Sequence, residues 1–143
     1  MNSFTIRKNI YIDAKPEAVF DALTSSVDIV RYFPLRNVTS EWKVGSEILL
    51  EGEVNGGAFR DYGLIQVLSR PNQFRYSYWS DNHGTERTPE NHLTIDYRLS
   101  AKQKGTNLEM EQSNLKSEEM FRVMDAVWDH LLSELAKYVE NRT

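Results

Sequence analysis

The chain has 143 residues, of which 40% are hydrophobic and 27% are charged, and its formal net charge is −4. A chain of this length buries one core of ordinary size, so a single domain over residues 1–143 is expected. The excess of acidic over basic residues and the lack of any lysine- or arginine-rich block argue against binding to duplex nucleic acid, which needs a basic surface. No apolar run approaches the roughly 18 residues of a membrane span, and no export signal is visible, so no membrane insertion and a cytoplasmic location are expected.

The first predicted elements are a strand and two short helices. Phe4–Ile12 alternates in polarity, which predicts a β-strand, and Lys8 falls on the same face as its apolar residues. A helix is predicted over Pro16–Leu23, because a proline in the first helical turn loses no hydrogen bond. A second helix is predicted over Ser26–Tyr32, ending before Pro34, since the residue that precedes a proline avoids helical geometry.

A long β-region follows. From residue 38 the hydrophobic period is two, interrupted only by glycine-, proline- and asparagine-containing turns. The predicted strands are residues 38–42, 48–54, 58–68, 74–79, 93–99 and 108–112. Each has one polar face, which predicts an antiparallel sheet of about six to seven strands that is covered on one side.

The last predicted element is a long helix from about Ser117, with a broad apolar stripe at helical spacing. This stripe consists of Phe121, Met124, Val127, Trp128, Leu131, Leu135, Tyr138 and Val139. The order of elements predicts an α+β fold in which a curved sheet wraps around the C-terminal helix and the two short helices close one end. Such an arrangement tends to leave a hollow between helix and sheet.

Candidate binding residues lie on the inward faces of these elements. Aromatic and methionine side chains form the apolar part of the predicted set, which consists of Phe33, Tyr76, Tyr78, Tyr97, Met110, Met120, Phe121 and Met124. Lys8, Gln112 and Asn114 are polar residues on buried positions, and Lys8 and Gln112 complete the set. An unpaired polar group in an apolar site costs about 1–3 kcal/mol and so selects a ligand that pairs with it. The alternative is that the apolar residues fill the core and that Lys8 extends to solvent.

No catalytic residue, metal ligand or cofactor is assigned. The three histidines, His83, His92 and His130, are predicted to be solvated surface residues. His83, Glu86, Glu90 and His92 have the chemistry of metal ligands but no recognised spacing, and the absence of cysteine removes the strongest zinc motifs.

Short motifs occur along the chain in a defined order. They are IDAKPEAVFDALT at residues 12–24, Tyr32-Phe33, Val44-Gly45, residues 63–71, Gly105-Thr106 and residues 128–140. In order and spacing they resemble the START-like, helix-grip proteins (the SRPBCC superfamily) related to the activator of heat-shock protein 90 ATPase, and the resemblance covers nearly the whole chain. The sequence departs from that family in having Tyr32 where tryptophan is usual and one glycine where a pair is common.

The resemblance implies a cavity between the long helix and the sheet, which the superfamily uses for lipids, hormones, polyketides or other apolar molecules. Three functions remain open. The preferred one is a carrier or sensor, monomeric or weakly dimeric, for a small apolar or amphipathic molecule. The second is an enzyme of the cyclase, dehydratase or hydrolase type, in which Gln112, Tyr76 or a cavity carboxylate moves a proton. The third is a stress-response chaperone partner that stimulates an ATPase, although the additional chaperone-docking module of the true activator is not found in this chain.

Overall fold

A curved antiparallel sheet of seven strands forms the body of the structure, a computed structural model that describes residues 3–142. The strands are β1 (Phe4–Ile12), β2 (Leu35–Ser40), β3 (Glu47–Val54), β4 (Gly57–Ser69), β5 (Gln73–Ser80), β6 (Leu93–Lys102) and β7 (Gly105–Leu115). They are hydrogen-bonded in the order β1-β7-β6-β5-β4-β3-β2. Strands β2 to β7 therefore form a meander, and β1 and β2 are the two edges of the sheet.

Three α-helices accompany the sheet, α1 (Pro16–Leu23), α2 (Ser26–Tyr32) and α3 (Glu118–Glu140), with a short 3-10 helix over Pro89–Asn91. Pro16 stands in the first turn of α1, and the Ser25 hydroxyl caps α2 by accepting a hydrogen bond from the Asp28 N–H at 3.3 Å. The Ser117 hydroxyl caps α3 in the same way, accepting from the Met120 N–H at 3.1 Å. None of the helices within residues 3–142 is long and apolar enough to cross a membrane.

The helices α1 and α2 carry the chain from one edge of the sheet to the other. The chain leaves β1, passes through both helices and enters β2 at the opposite edge. On the way α1 packs against β5, β6 and β7, and α2 packs against β2. Residues 13–34 therefore connect the two edges across one end of the curved sheet.

The long helix α3 covers the concave face unevenly. It spans about 35 Å at ~1.5 Å per residue and buries Trp128, Leu132, Leu135, Ala136 and Val139. Its backbone comes close to β1, and to a lesser extent to β7, α1 and α2. In the described part of the chain β3, β4 and β5 show no comparably close approach to α3. The helix and the sheet therefore diverge on the side of β3 to β5.

These observations confirm the predicted α+β class, the two short helices, the strand number and the long terminal helix. The strand predicted at residues 38–42 is wrong in its bounds, since β2 runs over Leu35–Ser40. Trp42 has a φ of 54°, which lies in the left-handed region and turns the chain out of the sheet. Its indole N–H instead donates to the Ser26 hydroxyl at 3.0 Å, so the tryptophan packs beside α2.

Candidate ligand-binding cavity

A cavity of about 320 Å³ lies where α3 diverges from the sheet. Pockets for small molecules have roughly 300–1,000 Å³, so this one suits a compact ligand. Its apolar lining comes from three places: the first half of α3, the concave face of the sheet, and the junction of α2 with β2. From α3 come Val123, Met124, Val127, Trp128 and Leu131. The sheet contributes Leu50, Val54, Phe59, Tyr76, Tyr78 and Ile95, and the junction contributes Phe33, Pro34 and Leu35.

A glycine on β3 allows one wall to form. Gly52 pairs with Phe59 across the β3–β4 ladder. A Cβ atom at Gly52 would lie 2.8 Å from Cζ of the Phe59 ring, closer than real side chains approach. The missing side chain thus makes room for the aromatic ring of Phe59, which lines the cavity.

The buried side chain of Gln112 connects two walls of the cavity. Gln112 lies on β7 and is 0% exposed. Its Nε2 donates to the Tyr78 hydroxyl at 2.8 Å, and its Oε1 accepts from the Trp128 indole at 2.7 Å. Tyr78 and Trp128 both line the cavity, whereas Gln112 does not. Gln112 therefore positions an aromatic residue of β5 relative to one of α3.

One end of the cavity is polar and contains a buried carboxylate. Asp61 lies on β4 between Leu50 of β3 and Ser80 of β5, and it shares the cavity lining with Ser80, Asn82 and His83. Among residues 3–142, no group hydrogen-bonds to the buried Oδ1 of Asp61. Burial raises the pKa of Asp61 to about 6, although a hydrogen bond from Ser80 favours its ionised form. The carboxyl group thus titrates close to neutrality.

His83 is a second polar group at this end. Its ring lies edge-on to that of Tyr78, with centroids 6.0 Å apart, and it lines the cavity. Burial lowers the pKa of His83, so the imidazole is neutral at neutral pH. Its Nδ1 is buried and has no hydrogen-bond partner in the described chain. The prediction of a solvated His83 is therefore wrong, because the loop after β5 folds over the cavity.

The other two histidines lie away from the cavity. His130 is exposed on α3, as predicted, and its Nε2 lies 3.8 Å from Glu134. His92 lies on the outer face, as predicted, but it is half-buried there, with Nδ1 2.7 Å from the Thr88 carbonyl oxygen. No group of three or more histidine and acidic side chains among residues 3–142 has the arrangement of a metal site.

The two cavity tyrosines are neutral hydrogen-bonding groups. Burial raises the pKa of Tyr76 and of Tyr78, and the negative charge of Asp61 raises both further. Tyr78 already accepts the hydrogen bond from Gln112. The two tyrosines therefore act as neutral hydrogen-bonding groups, whereas Asp61, with a pKa of about 6, can change its protonation in the cavity.

The structure brings part of the predicted binding set together. Phe33, Tyr76, Tyr78 and Met124 line the cavity. Tyr97 and Met110 are buried in the core outside the lining, with the Tyr97 ring 6.2 Å from that of Trp128. Ligand binding by any of these residues stays a prediction.

The remaining predicted residues lie near the start of α3 and along β1. Met120 and Phe121 are half-buried against the core, and the ring of Phe121 is 5.9 Å from that of Phe4. The Nζ of Lys8 lies 2.9 Å from carboxylate oxygens of both Asp125 and Asp129, so Lys8 attaches β1 to α3 rather than extending freely into solvent.

Sequence reasoning missed Asp61, the most distinctive residue of the lining. The sequence feature that could have indicated Asp61 is the alternation along β4. One face of this strand carries Phe59, Asp61, Gly63 and Ile65. A carboxylate between two apolar inward residues marks either a strained core or a cavity.

A larger depression of about 440 Å³ on the outer face is lined mainly by charged side chains and does not suit an apolar ligand.

The chain can also be compared with known proteins. The family model described as "Activator of Hsp90 ATPase homolog 1-like protein" matches residues 13–140. The chain belongs to this family. The predicted resemblance is thereby confirmed, while a search of curated proteins finds no match.

Solved structures agree with the membership in this activator-like family. The solution structure of ChR145 from Cytophaga hutchinsonii is 31% identical, with a TM-score of 0.84, and the match covers 99% of this chain and 98% of that one. The Aha1 dimer from Colwellia psychrerythraea is 19% identical, with a TM-score of 0.77 and 96% of each chain covered. The crystal structure of Ara h 8.0201 is 10% identical, with a TM-score of 0.79 over 96% of this chain and 98% of its own. The last two, at such low identity, show the fold alone.

Proposed function

We propose that this protein binds a small molecule with a largely apolar body in the cavity between α3 and strands β3 to β5. The observation that carries the proposal is the combination of apolar walls with unpaired polar atoms at one end, Oδ1 of Asp61 and Nδ1 of His83. A buried polar atom without a partner costs free energy, and a ligand that supplies the partner recovers it. Covering the apolar walls adds roughly 25 cal/mol per Å² of surface removed from water.

Exposed apolar side chains in the lining support the same proposal. Val54, Val123 and Val127 belong to the lining and are 47%, 56% and 38% exposed. Val54 ends β3, whereas the other two lie one turn apart on α3, so they border the cavity from both sides. A bound apolar ligand would shield these side chains from water.

A second candidate function is proton-transfer catalysis in the same cavity, of the cyclase, dehydratase or hydrolase type. The observation that favours it is the pKa of about 6 for Asp61, close to the pH at which a general acid or base works best. The neutral hydroxyls of Tyr76 and Tyr78 could orient a substrate beside it. Activation of a chaperone ATPase rests on family membership alone.

The test is a screen of small apolar and amphipathic compounds by thermal shift, followed by calorimetric titration of the hits. A specific ligand stabilises the native state by RT ln(1 + L/Kd), where L is the free ligand concentration, so the melting temperature rises with ligand concentration. Met124→Trp should abolish binding, because the larger side chain fills the cavity. Ala126→Trp is the matched control, since Ala126 is exposed on the same helix outside the lining. Finding no saturable ligand, or equal binding to both variants, would refute the proposal.

A further inference from the structure

The charged residues of the cavity lining all carry negative charge. Asp61 and Glu53 line it, and within residues 3–142 no lysine or arginine does. Glu53 is paired, since its Oε1 lies 2.8 Å from Nη2 of Arg36, an exposed side chain outside the lining. Asp61 therefore holds the unpaired charge of the cavity.

The groups around Asp61 reinforce this negative character. Asp81, in the loop after β5, is a second carboxylate close enough to raise the pKa of Asp61. Asp81 accepts a hydrogen bond from the Arg60 backbone N–H at 3.0 Å, while the Arg60 side chain pairs with Glu51 at 3.2 Å. The remaining neighbours are neutral: Ser80, Tyr76, Tyr78 and, through burial, His83.

The unpaired oxygen of Asp61 also defines the direction of the missing hydrogen bond. Oδ1 of an ionised carboxylate can only accept a hydrogen bond. The unpartnered Nδ1 of neutral His83 is a donor in one tautomer and an acceptor in the other, so His83 can pair with either kind of group. A ligand group that satisfies Asp61 must therefore donate an N–H or O–H.

On the basis of the proposed function, we infer that the ligand of this cavity is an apolar molecule with a hydrogen-bond-donating head group, an amine or an alcohol, and not an anionic lipid or acid. A carboxylate or phosphate placed beside Asp61 would meet like charge in a site of low dielectric, and it would leave Oδ1 unpaired. An ammonium gains both the hydrogen bond and the opposite charge. A hydroxyl gains the hydrogen bond alone.

The test compares three probes of equal length, decylamine, decanol and decanoate, titrated calorimetrically at a pH above the Asp61 pKa of about 6. We expect decylamine to bind most tightly and decanol about tenfold more weakly, because the hydroxyl lacks the charge-assisted contact of the ammonium. Decanoate should bind at least about tenfold more weakly again, because it has no hydrogen to donate and is repelled by the like charge of Asp61. In Asp61→Asn the advantage of decylamine over decanol should disappear and decanoate should bind as well as decanol. Asp13→Asn should leave the order unchanged, because Asp13 is exposed and lies outside the cavity lining.

A second measurement avoids any variant that folds poorly. In the wild-type protein the ratio of decylamine to decanol affinity should fall as the pH drops through about 6, since protonation removes the Asp61 charge. If none of the three probes bound the wild-type protein, both the proposed function and this inference would be refuted. Binding in which decanoate equals or exceeds decylamine, or in which Asp61→Asn keeps the preference for decylamine, would overturn the inference alone.

Discussion

The indole of Trp128 donates a hydrogen bond to the side-chain oxygen of Gln112 over 2.7 Å, which joins α3 to β7 across the buried interior. The same amide donates to Tyr78 on β5, so one side chain sets the separation of two cavity walls. Both polar ends of the amide are satisfied although the residue has no exposed surface. Buried networks of this kind are stabilising only while every member keeps its partner.

Gln112→Leu should therefore lower the free energy of unfolding by about 1–3 kcal/mol, because it leaves the Trp128 indole N–H without an acceptor in the interior. Urea denaturation measures the change. Gln66→Leu is the control, since Gln66 is exposed on β4 and its substitution should change stability by less than about 0.5 kcal/mol. If the Gln112→Leu protein were as stable as the wild type, the hydrogen bonds of Gln112 would contribute nothing to the free energy of unfolding.

Asp61→Asn should change how stability depends on pH. Burial raises the pKa of Asp61 from its ordinary value of 3.8 to about 6, so between these values the native protein holds a proton that the unfolded chain has lost. The contribution of Asp61 to wild-type stability therefore falls as the pH rises through this window, by up to about 3 kcal/mol in total. The variant should be more stable than the wild type above pH 6 and similar to it below pH 4.

Thermal melts of the wild type, Asp61→Asn and Asp13→Asn across this pH range would check that expectation. Asp13 is exposed, so its variant should follow the wild-type curve. If the melting temperatures of the wild type and Asp61→Asn depended on pH in the same way, burial of the cavity carboxylate would have no desolvation cost.

The ion pair between Lys8 and Asp125 should couple β1 to α3 energetically. The Lys8 side chain is 17% exposed and Asp125 is 43% exposed, so the pair is only partly screened by water. In a double-mutant cycle with Lys8→Met and Asp125→Asn, we expect a coupling of about 0.5–1 kcal/mol in the free energy of unfolding. Additive effects of the two substitutions would indicate that Asp129 alone holds the lysine.

Gly105→Ala should be strongly destabilising. Gly105 begins β7, and a Cβ there would collide with the carbonyl oxygen of Ile12, a backbone atom that cannot move aside. Gly57→Ala is the matched control at a strand start, because its Cβ would lie 3.5 Å from the Val54 carbonyl oxygen, an ordinary contact. Circular dichroism melts should show a lower melting temperature for Gly105→Ala alone, and equal melting temperatures would contradict the steric argument.

The short helices were predictable because their signals are local. Pro16 fixes the start of α1, Ser25 caps α2, and Pro34 stops it, each within a few residues of the element that it defines. The end of β2 was not predictable in this way. Trp42 continues the apolar pattern of a strand, but its left-handed backbone and its contact with Ser26 depend on residues distant in sequence.

The candidate site could be predicted only in part, for a related reason. Alternation placed Tyr76 and Tyr78 on the inward face of β5, where the structure has them. Whether an inward side chain packs in the core or lines a cavity depends on the path of α3. No local pattern of residues in the sequence predicts that path. That path leaves Asp61 beside open space and brings Asp125 to Lys8, a contact between residues far apart in the sequence.

Residues 13–34 run through α1 and α2 from one margin of the sheet to the other and thereby tether β1 to β2. Uncurling the sheet to enlarge the cavity would therefore require this short, packed stretch of chain to lengthen or unfold. The connectivity of the chain thus constrains the width of the cavity, independently of which side chains line it.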